Sequence, residues 1–256
     1  LHCIQKSLNN DDLGRQFYKE ILLDTTNKII DLSSPTNFIR NNSFQVATEM
    51  TCGDLSSDNF RPDITIFVNG LPLAFIEVKK ENNHEGIDAE RNRMKARFAN
   101  PCFRRYLNIT QIMVFSNDME YDEQLKQGAY YATIGKTDTL YNCFREEGQD
   151  SFPIQKRYNT VSPEDEEILL RDNNVPQYKN NSEYKTNCKV ETPTKRICES
   201  LFSFERFYFF LRYGIAYVDH PNGLQKHIMR YPQVFATKAI ERHLDKEERK
   251  GIIWHT

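Results

Sequence analysis

The sequence predicts an α/β protein with a mixed β-sheet flanked by helices, and three stretches of the chain carry this prediction. RPDITIFVNGLPLAFIEVKK (61–80) has two short apolar runs on either side of Asn69-Gly70, which is typical of a tight β-hairpin. GIDAERNRMKARFANP (86–101) predicts a helix that ends at a proline, and QIMVFSN (111–117) predicts a buried strand. A helix that leads from one strand of a sheet to another indicates the α/β class.

The segments before the hairpin predict one helix and one strand. Residues 11–30 place apolar side chains at roughly helical spacing, with Asp11 or Asp12 as a cap, and Pro35 closes that element. FQVATEM (44–50) predicts a strand.

The second run of the hairpin, LPLAFIEV (71–78), is nearly continuous in its hydrophobicity. A strand of this kind is usually covered on both faces, so we expect it near the centre of the sheet.

The C-terminal half predicts a connector and then two helices. Residues 145–192 are polar and rich in Asn, Asp and Glu, and they predict a connector with one short helix near 163–171. Residues 193–214 predict a strongly apolar helix, and 232–248 predict a last helix. The final GIIWHT (251–256) predicts a buried strand.

Composition excludes several classes of protein. The chain has 256 residues, 39% of them hydrophobic, and contains no run of about 18 apolar residues, so no membrane span is predicted. The start, LHCIQKSLNNDD, is too polar for a signal peptide and lacks an initiator Met, which we interpret as the start of a fragment. Six scattered cysteines without zinc spacing indicate reduced thiols, so we expect a cytoplasmic protein.

The overall charge of −2 does not indicate a nucleic-acid-binding protein. The local charge differs, because residues 91–106 contain six cations and no acid.

The hairpin carries the charged residues on which a functional hypothesis depends. Glu77 and Lys79 are two apart on a strand, so their side chains leave the same face, and Asp63 precedes the partner strand at the same end. Two carboxylates among apolar residues repel each other and lose solvation, and a divalent cation such as Mg²⁺ relieves both costs. A neighbouring lysine can hold a phosphate oxygen, and the arrangement therefore suits phosphodiester hydrolysis.

The register of the hairpin provides a test of this hypothesis. A strict two-residue loop at Asn69-Gly70 would oppose Asp63 to Ile76 and place Asp63 and Glu77 on opposite faces. A three-residue loop or a bulge would oppose Asp63 to Glu77. The metal hypothesis therefore predicts that the ladder is not an unbroken two-residue hairpin. The alternative is an ordinary surface pair, since Glu-x-Lys is common on exposed strands.

These residues resemble a known family. RPDITIFVNGLPLAFIEVKK is similar to the nuclease motif, of the PD-(D/E)xK class, in the R (restriction, or motor) subunits of type I restriction enzymes. The resemblance continues in NNSFQVATEM (41–50) and QIMVFSNDMEYDE (111–123). A separate stretch, residues 226–256, resembles the segment that in these subunits leads into a phosphate loop and a helicase-like ATP motor, although this chain contains no such loop.

The resemblance implies roles for individual residues. Asp63 and Glu77 would bind Mg²⁺, with the backbone carbonyl of Val78 as a further ligand, and Lys79 would act at the scissile phosphate. An additional acidic residue from an earlier element is expected in this fold, and the candidates are Glu20 and Glu49. For each of them the alternative, an ordinary surface residue, is favoured.

Two further assignments follow from the resemblance. Many R subunits carry Gln-x-x-x-Tyr on the helix after the lysine, whereas ERNRMKARF (90–98) offers Arg93 and Arg97 here. We expect these two arginines to contact DNA phosphates, the alternative being a solvated basic face. Gln233 is similar to the glutamine that recognises adenine ahead of the phosphate loop, so ATP is expected as a cofactor of the full-length protein.

Together these expectations describe an N-terminal fragment of a type I R subunit with a restriction-endonuclease-like fold. The expected domains are the endonuclease domain (1–144), the polar connector (145–192) and the first elements of a truncated helicase-like motor (193–256). The expected activity is Mg²⁺-dependent, non-specific cleavage of double-stranded DNA, in a complex with methyltransferase and specificity subunits. The alternatives are a non-catalytic module that positions DNA and a stand-alone repair nuclease of the same fold.

Overall fold

The structure is a computed structural model, and it describes residues 2–24, 26, 29–52, 60–79, 86–119, 129–135, 139–144, 161–188, 192–246 and 250–253. Within these ranges the strands are β1 (Phe44–Thr48), β2 (Ile64–Val68), β3 (Leu71–Val78), β4 (Ile112–Ser116), β5 (Ala129–Gly135), β6 (Thr139–Phe144), β7 (Ile215–His220) and β8 (Gly223–Ile228). The α-helices are α1 (His2–Leu8), α2 (Arg15–Phe17), α3 (Pro35–Asn41), α4 (Gly86–Ala99), α5 (Arg104–Ile109), α6 (Pro163–Asp172), α7 (Ser182–Asn187), α8 (Pro193–Phe202), α9 (Phe204–Tyr213) and α10 (Tyr231–Leu244). A π-helical turn, Tyr18–Leu23, continues α2, and 3₁₀ turns form at Pro101–Phe103 and Pro176–Asn180. None of the helices in these ranges combines the length and the apolar character that a bilayer crossing requires.

The eight strands described form one mixed sheet, in the order β1-β2-β3-β4-β5-β8-β7, with β6 paired to β5. β3 and β4 are parallel, whereas the other pairs described are antiparallel. A parallel pair needs a crossover connection, and α4 and α5 lie in the chain between β3 and β4. The predicted α/β class with a mixed central sheet is therefore confirmed.

The central position predicted for β3 is also confirmed. Its residues from Pro72 to Glu77 are all buried, as are all five residues of β4. Ala74 and Ile76 pack into one hydrophobic cluster, while Phe75 between them packs into a second cluster. The strand thus has a core on each side, which explains its continuous hydrophobicity.

The first helix is not the single element predicted over residues 11–30. Leu13 and Gly14 have φ angles of 55° and 83°, in the left-handed region, so the helix begins only at Arg15. Gly14 also lies so close to helix α5 that an added Cβ would be 2.2 Å from the carbonyl oxygen of Asn108. The need for close approach selects glycine here.

The C-terminal half differs from the prediction in three places. The predicted helix 193–214 is broken at Ser203, whose ψ of 141° is not helical, into α8 and α9. The polar connector contains α7 and a 3₁₀ turn in addition to the predicted helix α6. At the end, Ile252 is 94% exposed and residues 250–253 form no strand, so the predicted buried strand is wrong there, and Trp254 lies outside the described residues.

The described residues from 193 onward do not show the helicase-like motor that the sequence predicts to begin there. Phe207, Phe209 and Phe210 of α9 pack into the same cluster as Phe38 and Leu73. β7 and β8 extend the sheet of the hairpin strands. The apolar face of α9 explains this, because it covers one side of the sheet instead of starting a separate core. The division into three domains stays a prediction.

Candidate active site

A β-bulge in the hairpin decides which residues meet at its open end. The turn has two residues, since Val68 pairs with Leu71, but the register shifts between Ile66 and Phe67. Beyond the shift Ile64 pairs with Ile76, and continuing by one residue opposes Asp63 to Glu77. The departure from an unbroken two-residue hairpin, which the metal hypothesis required, is confirmed.

Asp63 is fixed by backbone contacts at the end of β2. Its Oδ2 accepts a hydrogen bond of 2.6 Å from the backbone N–H of Val78, which ties the carboxylate to the end of β3. Its carbonyl oxygen accepts a bond of 3.0 Å from the N–H of Glu49. Glu49, a candidate for an additional acid, is therefore adjacent to Asp63, but its own carboxylate is exposed and lies 3.9 Å from Arg61.

Glu77 is the most constrained carboxylate of the hairpin. It is only 4% exposed, and its Oε1 is buried with no hydrogen-bond partner in the described part of the chain. Burial raises the pKa of Glu77 to about 7, against the opposing effect of Lys79, and the nearby carboxylates of Asp63 and Glu90 raise it further. A buried acceptor atom without a partner is costly, and the site thus favours a proton or a cation at this position.

Lys79 joins the hairpin to helix α4. Its Nζ lies 3.2 Å from Oε2 of Glu77 and 3.3 Å from Oε1 of Glu90, and its side chain is 20% exposed. Its backbone N–H donates to the carbonyl oxygen of Ser116, which fixes the chain just after β3. The structure therefore brings together Asp63, Glu77 and Lys79, the three residues singled out as catalytic from the sequence.

Glu90 is a residue of this site that the sequence analysis did not identify. It lies on α4, is 1% exposed, and contacts Lys79, Arg93 and Arg97. The signal was present in the spacing, since an acid three and seven residues before two arginines lies on the same helix face as both. The position of Glu90 beside Lys79, however, depends on how α4 packs against the end of β3.

Arg93 and Arg97 occupy different environments on α4. The side chain of Arg93 is 62% exposed and pairs with Glu90. Arg97 is 19% exposed, with its Nη1 3.5 Å from Oε2 of Glu90 and 4.0 Å from Oε1 of Glu77, and its guanidinium lies 4.0 Å above the ring of Phe60. Arg97 thus faces the carboxylates, whereas Arg93 faces solvent.

For two other predicted residues, no contact among the described residues joins them to this cluster. Glu20, in the π-helical turn, accepts a hydrogen bond of 2.6 Å from Gln16, a contact that does not join it to the hairpin. Gln233 is exposed near the start of α10, where its side chain accepts a hydrogen bond of 2.8 Å from the backbone N–H of Arg230. Binding of adenine by Gln233 stays a prediction.

The donors at the hairpin end fit a hard divalent cation. Among the described residues no group of three or more His, Cys, Asp or Glu side chains is arranged to hold a metal. Mg²⁺ needs less, because it commonly takes one or two carboxylates and keeps several of its waters. Asp63 and Glu77 would supply those carboxylates and Val78 a carbonyl oxygen. The observation that favours such a ligand is that Oε1 of Glu77 accepts no hydrogen bond from the described residues.

The N-terminal part of the chain matches a known protein family. Residues 1–122 match the sequence model of the family described as type I restriction enzyme R protein N terminus. This range includes the hairpin, α4 and β4, so all the clustered residues lie within it. The comparison with curated proteins gives no match. The resemblance noted in the sequence is confirmed for this range, and for residues 226–256 it stays a prediction.

Proposed function

Residues 1–122 match the type I restriction enzyme R protein N-terminal family, and on this premise we propose that the hairpin and α4 form a Mg²⁺-dependent endonuclease site. The substrate is double-stranded DNA, cut without sequence specificity at the point of cleavage. Methyltransferase and specificity subunits are the proposed partners, and ATP is the proposed fuel of the full-length R subunit.

One observation carries the proposal most directly. Glu77 is a buried glutamate whose Oε1 accepts no hydrogen bond from the described residues and has only the Arg97 guanidinium at 4.0 Å. It lies opposite Asp63 in the continued register and 3.2 Å from the ammonium of Lys79. An exposed surface pair would not combine this burial with this repulsion, because solvent would screen the charges. The arrangement costs folding stability, and such costs are usually retained where a site needs them.

The residues of the chain have separable tasks in the proposed hydrolysis. A water oxygen forms a bond to phosphorus and gives up one proton while one P–O ester bond breaks, and the leaving oxygen takes up a proton. Mg²⁺, when bound, supplies Lewis-acid stabilisation and an acidified water. Lys79 would offer its ammonium to the negative charge that develops on the phosphate, and Asp63 is held ready by the Val78 N–H.

The arginines of α4 have a proposed role outside the reacting atoms. Arg93 is exposed enough to contact a DNA phosphate directly, whereas Arg97 would need to leave Glu77 and Glu90 to do so. We therefore expect Arg93 to contribute more to DNA affinity than Arg97.

Cleavage of supercoiled plasmid in Mg²⁺ or Mn²⁺ tests the proposal, with the chain alone and within the assembled restriction complex. Asp63→Asn should abolish cutting, Lys79→Ala should reduce it to a low residual rate, and Asp172→Asn, which changes an exposed acid of α6, should not alter it. Cutting by the complex that survives Asp63→Asn would refute the assignment. DNA binding without any cutting in either setting would favour the alternative of a non-catalytic module that positions DNA.

A further inference from the structure

A second buried carboxylate beside the candidate active site has no role in the assignment above. Glu90 is 1% exposed, and both of its oxygens face cations. Its Oε1 lies 3.3 Å from Nζ of Lys79 and accepts from Arg93, and its Oε2 lies 3.5 Å from Nη1 of Arg97.

The ammonium of Lys79 is held from two directions. Glu77, near the end of β3, contacts it at 3.2 Å, and Glu90 contacts it at 3.3 Å from a helix that begins seven residues further along the chain. A lysine has a flexible four-carbon stem and three donors, so a single partner leaves its ammonium free to swing. Two carboxylates on different elements restrict the ammonium to the space between them.

From this geometry we infer that Glu90 is a positioning residue, which holds the Lys79 ammonium beside Glu77 in the place where the scissile phosphate is bound. The effect of Glu90 on catalysis rests on the proposed function. The restriction of Lys79 itself does not depend on that function and can be measured separately.

The two arginines distinguish positioning from simple neutralisation of a buried acid. If Glu90 served only to balance charge within the fold, Arg93 and Arg97 would already provide that balance. Arg93 contacts Glu90 from the solvent side, and no contact described for it involves Lys79. Arg93→Gln is therefore a matched control that removes a partner of Glu90 and leaves the Glu90–Lys79 contact in place.

The first measurement is NMR of the lysine side-chain ammonium and Cε groups in the chain, with Lys79 assigned by the loss of its signals in Lys79→Ala. In the parent chain and in Arg93→Gln, Lys79 should show the slow relaxation of an immobilised side chain. In Glu90→Gln it should relax like the exposed lysines. Unchanged Lys79 relaxation in folded Glu90→Gln would overturn the inference.

The second measurement is a double-mutant cycle in DNA cleavage. Glu90→Gln should lower kcat by about 10- to 100-fold with little change in KM, since misplacement of a catalytic group has effects of this size. In the Lys79→Ala background the same change should have no further effect on residual cutting or on DNA affinity. A full additional loss in that background would show that Glu90 acts independently of Lys79.

The two readouts separate the inference from the proposed function. Absence of cutting in the parent complex would refute the nuclease proposal, and the relaxation data alone would then decide whether Glu90 restrains Lys79. If Glu90→Gln does not fold, both measurements are made on Glu90→Asp, whose shorter side chain keeps the charge but withdraws it from Lys79. Parent-like relaxation and kcat in Glu90→Asp would overturn the inference.

Discussion

Replacement of Glu77 by glutamine should change how the stability of the protein depends on pH. The carboxyl of Glu77 is buried, and its pKa rises from 4.5 to about 7 in the folded state, because burial and the carboxylates of Asp63 and Glu90 outweigh the effect of Lys79. Below about pH 4.5 the group is protonated in both the folded and unfolded states, so it contributes no difference. As the pH rises toward about 7, the unfolded chain releases the proton while the folded chain keeps it, and the free energy of unfolding falls.

The expected size of this effect follows from the same values. Each tenfold change in proton affinity corresponds to about 1.4 kcal/mol, so a rise from 4.5 to about 7 costs about 3 kcal/mol of folding free energy above neutral pH. Glutamine does not ionise and is free of this cost. Glu77→Gln should therefore gain about 3 kcal/mol over the parent chain between about pH 4 and pH 8.

Urea unfolding at several pH values, with a chelator present to remove divalent cations, measures this gain. Asp172→Asn, an exposed acid, is the control and should track the parent chain throughout. The reasoning is refuted if the stability difference between Glu77→Gln and the parent chain is the same at low and high pH, because the carboxyl would then have an ordinary pKa.

Two further predictions concern the packing of the fold and a buried cation. Gly14→Ala should lower the free energy of unfolding by about 3 kcal/mol or more, because its Cβ would lie 2.2 Å from the backbone oxygen of Asn108. Gly70 has a similar φ and no atom within 4 Å of an added Cβ, so Gly70→Ala should cost about 1 kcal/mol. Equal melting temperatures for the two variants would contradict this. Lys226 is fully buried with its Nζ 2.8 Å from the carbonyl oxygen of Thr110, and burial lowers its pKa from 10.5 to about 7. The unfolded chain therefore binds the proton more tightly than the folded chain, and the free energy of unfolding of the parent chain should rise with pH from about 7 to 10. Denaturant unfolding of Lys226→Met should show no such rise.

The hairpin site was predictable from the sequence to an unusual degree, because its residues are local. Asp63, Glu77 and Lys79 lie on two strands joined by one turn, and a period of two residues limits the registers that can bring them together. The position of the bulge was harder to predict, since its extra residue is Leu73 of β3, between Pro72, which pairs with Phe67, and Ala74, which pairs with Ile66. Pro72 was the available signal, because a proline within a strand is confined to an edge, a strand start or a bulge.

The features that the sequence did not reveal depend on tertiary packing. Glu90 looks like an ordinary helix acid until α4 packs against the end of β3. The β7–β8 hairpin carried a usable turn signal, Pro221-Asn222 followed by Gly223, but Lys226 within it suggested exposure although it is buried. The apolar pattern of residues 193–214 likewise does not reveal the break at Ser203.

The shared cation site is the central claim, and calorimetric titration of Mg²⁺ or Mn²⁺ into the chain tests it most directly. Asp63→Ala and Glu77→Ala are the variants, and Asp172→Asn is the control. The account predicts that the parent chain and the control bind the ion and that either alanine variant loses this binding, because Asp63 and Glu77 are opposed across the bulged hairpin. Binding of equal strength in the parent chain and both alanine variants would place the ion elsewhere and contradict the account.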